Sequence, residues 1–224
     1  MIATSTLYPE IGIGASRTPG VGQIHQQIRF FEYIRSLFHA REICKKYNIE
    51  LIIVENSMLS QVSQDQTSET ISTIFSALDI KTLYTNTSKL HISNMATWKG
   101  IREFADINTV IDFANLDEDD MIIKLTGRYN MLDDSFVRTV IDCIDSHDVI
   151  AKFNNNSIEM GLFAAKAKLF ISIWKNKSFT KDSQPETHVY RIINELFKKE
   201  RIYNKSILRL RRRWAGINNI EEDV

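Results

Sequence analysis

The chain has no charge excess to offer. Its 28 Lys and Arg residues balance 28 Asp and Glu residues, a formal net charge of zero. Nucleic-acid binders carry a basic surplus, so this balance excludes a bulk electrostatic pull toward DNA or RNA. Cysteine is almost absent: Cys44 and Cys143 sit inside helix-like patterns without a ligand-spaced neighbour, and both are expected to be reduced thiols. The five histidines (His25, His39, His91, His147 and His188) are scattered. With no His-Glu-x-x-His and no paired Cys/His spacing, no zinc site is expected. No apolar run approaches the length of a membrane span. The opening MIATSTLYPE lacks the basic start and long apolar core of an export signal, so a cytoplasmic location is expected. The sequons at Asn86, Asn155, Asn176 and Asn204 then reflect only Asn/Ser richness. Phosphate-binding glycine motifs are missing too. The loop GIGASRTPGVG has Arg17 where the third glycine of GxGxxG belongs, and no Gly-Lys-Ser/Thr ending. It reads as a surface loop able to act as a lid.

What is present is an alternation of strands and helices. Ile2 to Leu7 reads as a strand and Pro9 to Gly22 as a loop. From Gln23 to Tyr47 the residues Ile24, Ile28, Phe31, Ile34, Phe38 and Ile43 recur at helical spacing. LIIV at 51–54 is short and β-branched, as a buried strand is. A helix over 67–78, a strand over 80–84 and a helix from Met95 to Phe113 follow. MIIKL at 121–125 is the next strand. Asp133 or Asp134 caps a helix with Phe136, Val137, Val140, Ile141 and Ile144 on one face. A strand from Val149 to Phe153 comes next. MGLFAAKAKLFISIW runs from strand or turn into helix, and Pro185 opens a last helix. The pattern predicts one α/β domain with helices on both faces of a mostly parallel sheet. There is no internal repeat and no linker rich enough to split the chain.

In open α/β sheets ligands bind beyond the carboxyl ends of the strands. That rule selects Thr4, Ser5 and Thr6 after the first strand, and Glu55, Asn56 and Ser57 after the second. After MIIKL it selects Thr126, Gly127, Arg128 and Tyr129. It demotes the acidic run LDEDD at 116–120, which precedes its strand and belongs at the opposite edge as a solvated loop. In KLTGRY (124–129), a glycine just after a strand permits a tight turn or a close approach. Arg128 can fork onto phosphate or carboxylate oxygens and Tyr129 can stack; a surface Arg beside a half-buried Tyr fits the spacing equally well.

KLTGRY and the block around it, WKGIREFADINTVIDFANLDEDDMIIKLTGRYNMLDDSFV, resemble a family of small glycosyltransferase-like proteins of bacterial and viral surface-polysaccharide systems. IATSTLY and IIVENS are similar to the first two strand ends of the GT-A fold, the nucleotide-sugar fold. The resemblance covers most of residues 1–195, and KLTGRY is its most specific part. It implies a GT-A-like single domain over 1–224, with a nucleotide-sugar-binding half at 1–130, an acceptor-side half at 131–197 and a basic tail at 198–224. It implies a glycosyltransferase acting on a nucleoside-diphosphate-sugar and a saccharide acceptor. Thr4, Ser5, Thr6, Glu55, Asn56, Ser57, Lys99, Gly100, Lys124, Gly127, Arg128 and Tyr129 would meet the donor. Met160, Gly161 and Lys166 would line the acceptor side. Glu186, at the start of the late helix, would be the base that deprotonates the acceptor; a carboxylate stabilised by the helix dipole is the alternative. The chain departs from the family where GT-A enzymes carry Asp-x-Asp. Gly127-Arg128-Tyr129 stands there, which puts manganese or magnesium dependence in doubt. Asp133 and Asp134 lie slightly later and could reach a cation, although helix capping is the preferred reading. The basic tail, with Arg209, Arg211, Arg212 and Arg213 beside Trp214, offers a peripheral membrane contact, a solvated helix or a diphosphate-facing strand. A catalytically inactive nucleotide-sugar-binding subunit of an assembly complex is the rival from another class.

Overall fold

The computed structural model describes residues 1–5, 22–56, 66–85, 99–175, 185–213 and 221–223. Its elements alternate as the hydrophobic patterning predicts. In the first half they are β1 (Ile2–Ser5), α1 (Gly22–Lys46), β2 (Ile52–Glu55), α2 (Gln66–Ala77), β3 (Lys81–Tyr84), α3 (Lys99–Ala114) and β4 (Met121–Thr126). Then come β5 (Asn130–Met131), α4 (Ser135–Cys143), β6 (Val149–Ala151), β7 (Phe153–Asn154), β8 (Ser157–Ile158), β9 (Leu162–Lys166), α5 (Ala167–Lys175) and α6 (Pro185–Leu196). A single 3-10 turn at Lys199–Arg201 leads into β10 (Ile202–Asn204), β11 (Leu210–Arg213) and β12 (Glu221–Asp223).

Seven strands form the central sheet in the order β10-β6-β9-β4-β1-β2-β3. Only β9 runs against the rest, wedged between β6 and β4. The period-2 alternation of a strand splits the core into two layers. Ala3, Ile53, Ile123, Leu125, Ile150 and Ala164 face α1, α2 and α4. Ile2, Ile52, Val54, Ile122, Val149, Phe163 and Ala165 face α3, α5 and α6. On that second side Phe163 stacks on Phe170 at 5.5 Å, and Phe170 also meets Phe104 at 6.2 Å. Each such buried ring contributes roughly 2–3 kcal/mol by leaving water.

Helices α1, α2 and α3 end alike. Asn48, Asp79 and Asn115 take φ near +50°, and Ile49, Ile80 and Leu116 donate back to Cys44, Phe75 and Ile111. This is the left-handed C-cap with its six-to-one bond, built on Asn and Asp rather than glycine. Each cap returns the chain to the amino edge of the sheet, where β2, β3 and β4 begin. The acidic run is there as expected: Ala167 donates to the Asp120 carbonyl and Lys168 to the Glu118 carbonyl, beside the start of β4.

Two amphipathic faces differ from the sequence reading. Among the described side chains of α1, Tyr33, Ser36, Leu37, Ala40, Ile43 and Cys44 are buried, while Phe31 and Phe38 are exposed; Ile24 and Ile28 lie outside the described side chains. Phe31 and Phe38 are seven residues apart and share a face, but it is not the face of Tyr33, Leu37 and Cys44. On α4, Phe136, Val137 and Val140 are buried, whereas Ile141 and Ile144 are exposed. The loop over 9–22 falls almost wholly outside the described residues.

Candidate active site

The carboxyl ends of β1, β2 and β4 lie side by side, because Ser5 is in register with Glu55 and Thr4 with Thr126. The strand-end groups picked from sequence therefore share one edge. Thr4, Ser5, Glu55 and Asn56 are all buried there. Thr6 and Ser57 lie outside the described residues. Helix α3 feeds β4 at the amino edge, so its own start, Lys99 and Gly100, stands at the carboxyl edge. The side chain of Lys99 and all of Trp98 are outside the description.

Two polar clusters hold the edge together, and both rest on acids that the sequence reading missed. Glu103, in the first turns of α3, accepts from Thr4 Oγ1 at 3.1 Å and pairs with Lys124 Nζ at 3.0 Å. Lys124 also donates to Thr126 Oγ1 at 2.7 Å and to the Met160 carbonyl. An ammonium has three protons. All three are used inside the protein, so Lys124 fixes the site rather than facing a ligand. Three residues along α3, Asp106 is fully buried and accepts from Asn56 Nδ2 and Thr85 Oγ1, each at 2.7 Å. A carboxylate can only accept, so this contact fixes the Asn56 amide. Its Oδ1 is buried and, among the described residues, without a hydrogen bond, as is Ser5 Oγ. Unmade bonds of this kind cost about 1–3 kcal/mol each, and a ligand N–H or O–H would repay them. The signal for both acids was available: Glu103 and Asp106 interrupt an apolar helical stripe at a three-residue interval.

KLTGRY turns at this edge. Gly127 N donates to the Thr4 carbonyl at 2.8 Å, and a Cβ at Gly127 would stand 2.7 Å from that oxygen and 3.0 Å from the Tyr33 ring. Glycine is required because two backbones and a ring meet there. Arg128 lies half-buried with its guanidinium 5.1 Å from the Tyr129 ring centre. The Tyr129 carbonyl accepts from Ser36, and its ring fills the space where a Cβ on Gly161 would be. Gly161 N is held by Glu159 Oε1 at 2.9 Å, and its carbonyl accepts from Thr126 N. Met160 and Gly161 thus sit against the end of β4, beside the other candidates.

Lys166 does not. It pairs with Met121 at the start of β4 and bonds the Asp119 carbonyl, at the opposite edge. The antiparallel run of β9 carries Lys166 away from Met160 and Gly161, and its acceptor-side assignment is withdrawn. Glu186 lies in the first turn of α6, half-buried. That helix ends at Leu196 and hands over, through the 3-10 turn, to β10, which starts level with Val149 at the amino edge. The start of α6 therefore points toward the carboxyl edge, on the α3 side of the sheet.

The carboxylates proposed for a cation are already engaged. Asp133 Oδ1 accepts from Ser135 N at 2.9 Å and its Oδ2 from Arg209 Nε at 3.2 Å. Burial alone would raise the Asp133 carboxyl, but the Ser135 bonds and Arg209 together lower it. Asp134 is bonded by Lys46 and Tyr47 and paired with Arg138, and these contacts, Lys46 foremost, lower it to about 2. Lys46 closes α1 at the amino edge, ten residues beyond Ser36. These two acids therefore do not fit a cation at the carboxyl edge. Among the described residues no group of three or more His, Cys, Asp and Glu side chains could hold a metal.

Across 91% of its length the chain superposes, with a TM-score of 0.53, on 78% of a solved protein from Desulfovibrio desulfuricans G20. That protein is provisionally named a nucleotide-diphospho-sugar transferase, and its crystal structure was solved at 1.90 Å. The chain has the nucleotide-diphospho-sugar transferase fold. The identity between the two is 9%, so the likeness establishes architecture and leaves chemistry to the site itself. No protein-family model and no curated protein matches the chain. None of the described helices is long and apolar enough to cross a membrane.

Proposed function

We propose that this chain is a glycosyltransferase that moves a sugar from a nucleoside-diphosphate-sugar to a saccharide hydroxyl, with inversion, in glycan or surface-polysaccharide synthesis. One observation carries the reading: strand ends β1, β2 and β4 and the start of α3 bring Thr4, Ser5, Asn56, Lys99, Gly127 and Arg128 to one edge of a sheet with this fold. The whole of 1–224 acts as one domain in this reading. Thr4, Ser5, Thr6, Glu55, Asn56 and Ser57 meet the nucleoside, the free Asn56 Oδ1 and Ser5 Oγ taking ligand donors. Lys99, Gly100, Gly127, Arg128 and Tyr129 meet the diphosphate, while Lys124 and Glu103 hold the strand ends in place. Met160 and Gly161 border the acceptor.

In the transfer step the acceptor O–H gives its proton to the Glu186 carboxylate. The acceptor oxygen forms a bond to the anomeric carbon. The bond from that carbon to the diphosphate oxygen breaks, and its electron pair leaves with the nucleoside diphosphate. The Arg128 guanidinium offsets the charge that develops there. Manganese or magnesium would serve the same end in a metal-dependent transferase, but Asp133 and Asp134 are not placed to hold it, and no step is routed through a metal. The reaction takes place in the cytoplasm, with the basic tail available for peripheral contact with an anionic membrane.

A ligand that binds only the native state raises its melting temperature. Melting curves with UDP-, GDP-, TDP- and CMP-sugars, with and without manganese, test the donor reading, and flat curves at millimolar ligand would end it. A second reading is a catalytically inactive nucleotide-sugar-binding subunit. The engagement of Asp133 by Arg209 and of Asp134 by Lys46 favours it. Donor binding without transfer to any acceptor extract is its signature.

A further inference from the structure

The tail is neither a solvated helix nor a lone basic strand. Leu208 and Leu210 are buried in the core layer that also holds Met131, while Arg209 between them is exposed. Strand β11 runs antiparallel to β5, with Leu210 opposite Met131 and Arg211 opposite Asn130. One step back, the two segments are tied twice. Leu132 N donates to the Arg209 carbonyl at 2.7 Å, and Arg209 Nε donates to Asp133 Oδ2 at 3.2 Å. Arg209 takes a φ of 54°, a left-handed conformation that a residue with a Cβ keeps only where its surroundings hold it. What the tail holds is the exit of KLTGRY, because Asn130 follows Tyr129 directly. From the other side α1 grips the same exit: Ser36 donates to the Tyr129 carbonyl, and His39 Nδ1 meets Asn130 Oδ1 at 3.2 Å. The turn that carries Arg128 and Tyr129 therefore leaves the main sheet clamped between a helix and the tail.

We infer that the tail segment 208–211 is a positioning element for donor binding: its docking on β5 fixes the exit of the KLTGRY turn and with it the place of Arg128 and Tyr129. The inference rests on the reading that these two residues meet the donor diphosphate. Strand β5 has only two residues, too few to keep a register unaided. With the tail undocked, Met131 loses Leu210 and Leu132 N loses its acceptor. The Tyr129 exit is then held from the α1 side alone. Arg128 would have to be ordered at the moment of binding, and that ordering is subtracted from affinity. Linkage makes the coupling reciprocal, so a ligand gripped by Arg128 also tightens the tail. The segment that sequence patterning marked only as basic thus acts through its two leucines and its Arg209 tie.

The test uses the full chain, with UDP, GDP and TDP as probes in titration calorimetry well below the melting transition. Leu210→Ala loosens the seat and should weaken nucleoside-diphosphate binding about tenfold. Leu210→Met nearly keeps the volume and should stay within about twofold of wild type. A control on the opposite core layer, Ile173→Ala, should also lower stability but leave affinity unchanged, which separates positioning from mere support. Equal affinity in wild type and a folded Leu210→Ala chain overturns the inference. If Leu210→Ala does not fold, Arg209→Ala and Asp133→Asn take its place. Each removes only an exposed ion pair and should weaken binding about twofold. Asparagine at 133 can still accept from Ser135 N, so α4 keeps its start. Equal affinity in both of these variants and wild type likewise overturns the inference. If none of the three probes binds the wild type, the donor assignment falls and hydrogen exchange judges the tail. Faster exchange in Leu210→Ala, or in Arg209→Ala, of the Tyr129 amide, which donates to the Thr126 carbonyl at 2.8 Å, keeps the positioning; unchanged exchange overturns it.

Discussion

Lys124 buries its ammonium completely, and Glu103 meets it at 3.0 Å while keeping about a quarter of its own side chain in solvent (26%). The asymmetry predicts an order of damage. Glu103→Ala strands a buried cation, which costs about 3 kcal/mol or more. Lys124→Met leaves a carboxylate that still accepts from Thr4 and can be solvated, so it should cost less. The double variant should be more stable than Glu103→Ala alone. Denaturant midpoints rank the three; a Glu103→Ala protein as stable as wild type would show that the pair does not anchor the edge.

Strand ends were legible in the sequence because buried parallel strands announce themselves as short β-branched runs, and IIVE and MIIKLT do so. Gly127 was legible by its position just after a strand and Gly161 only through the family resemblance, and the reason for neither was. Gly127 is needed for the Thr4 carbonyl and Gly161 for the Tyr129 ring, contacts between segments far apart in the chain. The acids Glu103 and Asp106 left one signal, a three-residue interval within the apolar pattern of α3, but nothing local says which side of that helix meets a strand end. Phe31, Phe38, Ile141 and Ile144 failed for the opposite reason: helical spacing identifies faces but does not say which one packs.

The two glycines should respond differently to alanine. At Gly127 the new methyl meets backbone and a packed ring, neither of which can move cheaply, and the cost should be roughly 1–3 kcal/mol of stability. At Gly161 it meets the Tyr129 ring, which can swing away. Gly161→Ala should therefore unfold near the wild-type midpoint and change donor affinity instead. Loss of stability at Gly161 comparable to that at Gly127 would mean that Tyr129 is held as rigidly as the backbone.

Asp134 should contribute to the loss of stability in acid. Its carboxyl sits at about 2 in the folded chain, chiefly through Lys46 and Tyr47. In the unfolded chain it returns to about 3.9. A depressed folded value stabilises above the unfolded one, and that contribution is lost as pH falls from about 4 to about 2. Asp134→Asn should be less stable than wild type at pH 7 and converge on it near pH 2. A constant difference across that range would show that the Lys46 contact does not persist in solution. His188 acts in a separate, higher window. Burial first, then Arg191, lowers its imidazole from 6.5, so protonation opposes folding as pH drops below about 6.5.

Arg128 tests the donor site without testing the fold. Its guanidinium is half-buried against the Tyr129 ring, so Arg128→Ala should melt close to wild type. Donor affinity should fall by about tenfold or more if the guanidinium forks onto the diphosphate. Arg128→Lys should recover only part of that, because an ammonium cannot make the two-pronged contact. Unchanged affinity in a folded Arg128→Ala protein would return the residue to the surface.

Glu186 separates an enzyme from a binding subunit. It lies in the first turn of α6, whose start is directed toward the carboxyl edge on the α3 side, and among the described residues no ion pair holds it. A base acts on the acceptor proton in the transition state, not on the bound donor. Glu186→Gln keeps the shape and removes the proton acceptor. It should leave donor affinity nearly intact and cut turnover by about a hundredfold or more. If Glu186 served only the helix dipole, the same substitution would cost below about 1 kcal/mol of stability and leave turnover normal. A donor-binding wild type that transfers to no acceptor gives the binding-subunit reading its case. A Glu186→Gln protein that transfers as fast as wild type moves the search to other carboxylates at the edge. Glu103 and Glu159 come first, because Glu103 already reaches Thr4 and Glu159 already holds Gly161 beside the end of β4.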